Sequence, residues 1–193
     1  MENFAEPNYP LSSAEASELV RGAYDLHVHT GPDLLPRSAS DLELAHRCQH
    51  VGLAGFVIKS HYAPTAARAA LVRTLVPDIH AIGSVTLNTA IGGMNAVAIE
   101  IAAREGARIV WMPTVDAVDE TAGHINLPQG SKRPQWARLQ QELREQGIES
   151  EPVRVLDEEQ CVLPATRRVL RSIATHDLVP ATGHLNRNEI FGG

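Results

Sequence analysis

Short apolar runs alternate along the chain with segments of helical period, and this alternation predicts the fold. Runs such as Phe56-Val57-Ile58 are apolar on both faces of an extended strand, as expected of a parallel sheet that is covered on both sides. Successive runs begin about 25–30 residues apart, which is the length of a βα unit. Five parallel strands are predicted, over residues 23–29, 55–60, 79–87, 108–112 and 178–182.

Helix signals lie between these strands. Ser40 followed by Glu43 has the spacing of a capping box, and Gly52 supplies the stop signal of the same helix. Asn95 is a candidate N-cap for a later helix, and Pro164 opens another. The sequence therefore predicts an α/β protein that forms a partial (β/α) TIM-like barrel of about five main βα units.

The alternation stops after the fourth strand. Residues 113–152 are interpreted as an insertion at the mouth of the sheet, with a polar loop at Gly123-His124 and an amphipathic helix over 134–145. A small additional strand is predicted over 153–156.

Composition narrows the class of protein. The 193 residues, 44% of them hydrophobic, suffice for one globular domain over residues 1–193. The net charge of −6 and the lack of a Lys/Arg cluster argue against a nucleic-acid partner. No apolar run approaches the roughly 18 residues of a membrane span, and the first residues show no signal-peptide pattern. Cys48 is predicted to be a core residue, so we expect a cytoplasmic protein.

The segment Asp25-Leu26-His27-Val28-His29 carries the clearest chemical signal. Residues two apart on a strand point to the same face, so Asp25, His27 and His29 are expected to project together. Two neutral imidazoles can hold a divalent metal, and a nearby carboxylate can orient one of them. The alternative is a strand that happens to carry two histidines.

Other strands also end in polar residues, and parallel α/β folds form their sites at these ends. His184 follows Thr182-Gly183 and is a candidate third metal ligand. Lys59 and His61 share one parity and are predicted to line the mouth of the sheet. A lysine that reaches solvent from the rim would explain Lys59 equally well.

Three further features keep two interpretations each. Asp116 is a general base or a loop cap, and Asp33 with Arg37 either contacts a substrate or belongs to a solvated loop. Gly92-Gly93 either presents backbone N–H groups to an anion or is a flexible turn.

The motif Asp25-Leu-His27-Val-His29 resembles the opening motif of the amidohydrolase superfamily of metal-dependent barrel hydrolases. Thr182-Gly-His184 is similar to the next metal-binding segment of that superfamily. The resemblance extends to an uncharacterised amidohydrolase-related branch through these segments: Lys59 to His61, Leu87 to Gly93, Trp111 to Thr114 and Gly183 to Glu189.

The resemblance implies a barrel of about eight strands and one or two metal ions, with zinc expected and manganese, iron or nickel as alternatives. The metal would activate a water that attacks an amide, ester or related bond of a small-molecule substrate. The implied metal ligands are His27, His29 and His184. Asp25, Lys59 and His61 would act at the catalytic site, Asp25 by orienting a ligand and the other two by holding substrate or water.

The chain departs from the superfamily in three places. The fourth strand ends in Trp111 to Thr114 and lacks the lysine or glutamate that often bridges two metals. The usual histidine of the sixth strand and the aspartate of the last strand have no counterpart. We therefore expect a C-terminally truncated barrel: a fragment of a longer protein, a chain completed by another chain, or an inactive form. Exposed strand edges would favour association, with a homo-oligomer left open.

Three other functions stay open at this point. A polymerase-and-histidinol-phosphatase-type phosphoesterase also begins with His-x-His, but its Cys-x-His or second Asp-x-His ligands are missing here. A metal-dependent decarboxylase can use the same barrel. A truncated barrel could also bind metal or a partner without turnover.

Overall fold

A computed structural model describes residues 13–125, 132, 134–148 and 151–191, with the backbone alone at 124 and 125. Five parallel strands form one sheet in sequential order, and helices alternate with them. The sheet curls into a half-barrel, which confirms the predicted partial TIM-like barrel. The strands are β1 Tyr24–Val28, β2 Gly55–Ile58, β3 His80–Thr86, β4 Ala107–Trp111 and β5 Val179–Ala181.

Each predicted strand is present, and its bounds differ from the prediction by two residues or fewer at each end. The helices are α1 Ala14–Leu19, α2 Asp41–Val51, α3 Ala66–Leu75, α4 Ala96–Arg104, α5 Val118–Ile125, α6 Gln135–Glu145, α7 Pro164–Thr175 and α8 Arg187–Phe191, and a 3-10 turn spans Thr89–Ile91.

The predicted helix caps are confirmed. Ser40 and Glu43 form a reciprocal capping box at the start of α2, and Gly52 ends this helix in the left-handed region with φ 80°. The side chain of Asn95 accepts hydrogen bonds from the first turn of α4. These local signals position the helices that cover the outer face of the sheet.

The hydrophobic core lies between the sheet and its helices in two clusters. Phe56 and Ile58 of β2 pack against α2 and α3, and Cys48 is buried among them as predicted. Val85 and Val110 pack with residues of α4 and α7 in the second cluster. Because the outer faces of β2, β3 and β4 are occupied in this way, the side chains that alternate with these core residues project to the inner face of the half-barrel.

Two predictions about the insertion are wrong. Gly123 lies in α5, where a polar loop at Gly123-His124 was expected, because the helical hydrogen bonding that starts at Val118 continues through these positions. Val153 and Leu156 form only isolated bridges, to Ala117 and Val162, so no strand exists there.

Helix α6 confirms the amphipathic segment predicted over 134–145. The remaining insertion residues, 126–131, 133, 149 and 150, lie outside the described part of the chain. Within the described part, no helix is both long and apolar enough to cross a membrane.

Candidate functional site

Strand β1 brings His27 and His29 to the inner face, but it does not bring Asp25 with them. Asp25 pairs with Phe56, whose ring is in the outer core, and the pairing register shifts before Val28 pairs with Ile58. This bulge inserts one residue, so Asp25 and His27 fall on opposite faces. The expectation that all three side chains project together is therefore wrong for Asp25. Its Oδ1 instead accepts a hydrogen bond from the backbone N of His27, at 3.0 Å.

The next strand, β2, places Lys59 beside His27. Lys59 Nζ lies 3.1 Å from His27 Nε2 and 4.4 Å from the centre of the Trp111 ring. The His27 and Trp111 rings are themselves 4.8 Å apart. Lys59 is only 1% exposed, so it does not extend to solvent from the rim. The structure brings two of the predicted site residues, Lys59 and His27, into direct contact.

Four imidazoles form a continuous series across the carboxyl end of the sheet. The ring centres of His27 and His29 are 5.3 Å apart, and those of His29 and His61 are 4.7 Å apart. His184, which follows β5, lies 6.3 Å from His61. The four histidines predicted from strand ends that are distant in sequence are therefore neighbours.

A buried hydrogen-bond network fixes His61. Its Nδ1 is hydrogen-bonded to Thr114 Oγ1 at 2.8 Å. The amide nitrogen of Asn88 donates to Thr114 Oγ1 and to the backbone oxygen of His61, and Asn88 Oδ1 accepts from the backbone N of Thr114. The polar ends of β3 and β4 thereby set the position of a ring that follows β2. Sequence reasoning assigned no role to Asn88, Thr114 or Trp111, although all three occupy strand ends.

The loop after β1 carries a second cation to the site. Arg37 Nε donates to Asp33 Oδ2 at 2.7 Å, and Arg37 Nη2 lies 3.5 Å from His29 Nδ1. The Asp33 side chain is 1% exposed and that of Arg37 is 17% exposed. This arrangement favours a site residue over a solvated loop. Asp116 caps a turn instead, because its Oδ2 accepts from the backbone N and the hydroxyl of Thr89.

A partly buried ion pair holds this loop on α3. Arg68 donates to both carboxylate oxygens of Asp41 and to the backbone oxygen of Thr30. Thr30 Oγ1 in turn donates to Asp41 Oδ1 at 2.6 Å. The two-point geometry fixes the loop that contains Asp33 and Arg37.

Glycine at position 183 allows His184 to reach the other rings. Gly183 has φ 61°, and a Cβ there would lie 2.3 Å from the backbone oxygen of Met112. His184 N donates to the backbone oxygen of Pro113. His184 Nδ1 lies 3.1 Å from Glu120 Oε1, and this carboxylate acts on the ring electrostatically.

Each of the four imidazoles has a pKa below the ordinary value of 6.5, so its neutral form predominates at pH 7. Burial and then Arg37 lower the pKa of His29 to about 4. Burial and then His29 lower the pKa of His61 to about 3. Burial also lowers the pKa of His27, with Lys59 as the next cause, and that of His184, where Glu120 opposes the shift. Burial lowers the pKa of Lys59 to about 8, so the lysine is still mostly charged at pH 7.

The side chains of the site are of the type that binds a divalent metal. Neutral imidazoles are the form that binds metal, and four of them adjoin one another here. In the described part of the chain, however, no three His, Cys, Asp or Glu side chains are close enough to hold an ion as they stand. Lys59 also occupies the Nε2 lone pair of His27. Metal binding therefore requires the rings to move from the positions seen here.

Two cavities lie away from the histidines. One of about 310 Å³ is lined by Gly92, Gly93 and Arg154, and one of about 170 Å³ is lined by Asn186 and other residues. The imidazoles themselves pack against one another, and His27 is the exposed member of the series. Solvent therefore reaches the site from the β1 side of the half-barrel.

Comparison with known families identifies the group to which the chain belongs. Residues 22–192 match the model of DUF6282, a family of unknown function. The chain is a member of this family. No curated protein and no solved structure matches it significantly.

Proposed function

We propose that this protein is a metal-dependent hydrolase of the amidohydrolase type that acts on a small molecule. The observation that carries the proposal is the series of four adjoining imidazoles at the carboxyl end of a curled parallel sheet. Sites of α/β barrels lie at this end. Such a set of uncharged nitrogen donors suits a first-row divalent metal, with zinc expected.

The proposed metal ligands are His27, His29 and His184, and His61 lies between the last two. When bound, a divalent metal supplies an activated water and polarises the substrate oxygen. The residues of the chain would do the remaining work. Asn88 and Thr114 hold His61, and Lys59 presents an ammonium group beside His27.

Asp25 is proposed to support the site through the backbone. It holds the N–H of His27 across the bulge of β1, which fixes the direction in which the His27 ring leaves the strand. A carboxylate that acts on the backbone positions a ligand without contacting the substrate.

Metal content tests the proposal directly. Wild-type protein, purified after growth with added zinc or manganese, is compared by elemental analysis with the double variant His27→Ala/His29→Ala. The matched control is His46→Ala/His50→Ala, which removes two exposed histidines from α2. We expect about one equivalent or more of metal in wild type and control, and loss in the double variant. Metal-free wild type, or full retention in the double variant, would contradict the proposal.

A substrate panel then separates the reaction classes. Amides, esters and lactones test the proposed hydrolase, and phosphomonoesters test the phosphoesterase alternative. Release of carbon dioxide from carboxylic acids tests the decarboxylase alternative. We expect turnover of an amide, ester or lactone that depends on the same histidines as the metal content.

A further inference from the structure

Lys59 is a buried cation without a carboxylate partner. An ammonium group has three N–H donors. One is given to His27 Nε2, and the Trp111 ring faces the same ammonium group. Both partners are uncharged, and none of the ion pairs among the described residues involves Lys59. A buried charge without a counter-ion is costly, because neutral groups replace only part of its hydration.

Arg37 is a second cation with unused donors. Asp33 accepts from Nε and Nη2, while Nη1 has no acceptor among the described residues. The Nε edge of the guanidinium group is therefore bound to Asp33, and the Nη1 edge is free to bind a ligand. Such an edge matches the two oxygens of a carboxylate or a phosphate.

The two cations stand at the ends of one pair of rings. Lys59 contacts His27, Arg37 contacts His29, and these rings are neighbours. Both cations also act on His29 and His61, since each lowers the pKa of both rings. The acidic side chains nearby have other partners: Asp33 pairs with Arg37, Asp116 caps a turn and Glu120 lies against His184. Lys59 is therefore left without a direct counter-ion, and a metal bound by neutral imidazoles would add positive charge beside it.

We infer that this site takes a small molecule with an oxyanion group, a carboxylate or a phosphate, and that Lys59 and Arg37 hold that group. The inference names a substrate class for the proposed hydrolase and in that sense rests on it. Oxyanion binding itself requires only the two cations, so it is measured without metal.

Calorimetric titration of metal-free protein at low salt tests the inference. The protein is treated with 1,10-phenanthroline, an uncharged chelator, and desalted. The probes are malonate, inorganic phosphate and malonamide, the uncharged counterpart of malonate. We expect saturable binding of at least one anion and no binding of malonamide. Malonate and phosphate measured separately show which oxyanion the site prefers.

Three variants locate the binding. Lys59→Met and Arg37→Gln should each weaken anion binding about tenfold or more, because each removes a charge-assisted hydrogen bond. Lys132 is the only other lysine of the chain and is exposed, so Lys132→Met is the matched control and should bind as wild type does. Circular dichroism checks that each variant is folded, and Arg37→Gln tests the inference independently if Lys59→Met does not fold.

The inference is overturned if wild type binds neither anion, if malonamide binds equally well, or if a folded Lys59→Met or Arg37→Gln protein binds as tightly as wild type. Its failure is distinct from failure of the hydrolase proposal. Metal content that depends on His27 and His29 without anion binding removes only the inference. Anion binding by a protein that never holds metal removes only the hydrolase.

Discussion

Lys59 Nζ donates to Nε2 of His27, a residue 32 positions earlier in the chain, at 3.1 Å. The bond joins the ends of the first two strands and links a buried cation to a proposed metal ligand. The same nitrogen of His27 cannot accept from Lys59 and bind a metal at once, because its lone pair serves one partner. Metal binding and the Lys59–His27 contact therefore compete.

The first prediction concerns the pH dependence of stability. Burial lowers the pKa of Lys59 from 10.5 to about 8, so between these values the unfolded chain binds more protons than the folded one. Stability contributed by Lys59 therefore rises with pH in this window and is lowest below pH 8. Relative to Lys59→Met, metal-free wild type should gain on the order of 3 kcal/mol between pH 7 and 10.5.

Urea unfolding of both proteins at several pH values from 7 to 10.5 measures this difference. Lys132→Met, at an exposed position, controls for the loss of a lysine and should follow wild type. A stability difference between wild type and Lys59→Met that stays constant with pH would contradict the lowered pKa.

The second prediction concerns Asn88. Its amide makes three buried hydrogen bonds, to the backbone oxygen of His61 and to the hydroxyl and backbone N–H of Thr114. Asn88→Ala should destabilise the protein by about 3 kcal/mol or more, because the partners are left unpaired in the interior. Asn95→Ala, which removes the cap of α4, should cost about 1 kcal/mol. Urea unfolding measures the loss of stability in each variant. Equal losses in Asn88→Ala and Asn95→Ala would contradict the buried network.

Gly183 provides the third prediction. Gly183→Ala would place a Cβ against the backbone oxygens of Met112 and Pro113, at 2.3 and 2.6 Å. Gly147 also has a positive φ, but no atom lies within 4 Å of its Cβ position, so Gly147→Ala measures the backbone strain alone, about 1–2 kcal/mol. We expect Gly183→Ala to be clearly less stable and to lose metal through displacement of His184. Thermal unfolding and elemental analysis check this, and equal melting temperatures would refute the close approach.

The fourth prediction separates Asp25 from the ligands. Asp25→Asn keeps an oxygen that can accept from the backbone N of His27, so metal content should stay near that of wild type. Asp25→Ala removes this acceptor and should lower the metal affinity by a smaller factor than His27→Ala. The measurement is zinc affinity by competition with a chromogenic chelator. If Asp25→Asn lost as much zinc affinity as His27→Ala, the carboxylate charge itself would be required, which would contradict this prediction.

Local signals explain why so much of the fold could be predicted. The apolar runs of the strands and the capping box at Ser40 and Glu43 depend on neighbours within a few residues, and the structure bears them out. The bulge that separates Asp25 from His27 depends on pairing with β2, more than 25 residues away, and strand alternation alone cannot indicate it.

The same distinction applies to the site. The positions of His27, His29, His61 and His184 at strand ends predicted that they would lie close together, because the carboxyl ends of parallel strands lie at one edge of the sheet. The contact of Trp111 with His27 depends instead on how far the sheet curls, since β1 and β4 are not adjacent strands. Curvature is a property of packing across the whole sheet, and the residue pattern of one strand does not contain it.

The series of rings begins with His27 on β1 and ends with His184 after β5, and these are the two outermost strands of the sheet. The distance between its ends is therefore a measure of how tightly the half-barrel is rolled. Substitutions in the helical layer, such as at Ile99 of α4 or Val169 of α7, would alter the curvature of the sheet. They would thereby change the spacing of the histidines without replacing any of them. No single βα unit transplanted into another scaffold would carry the site with it.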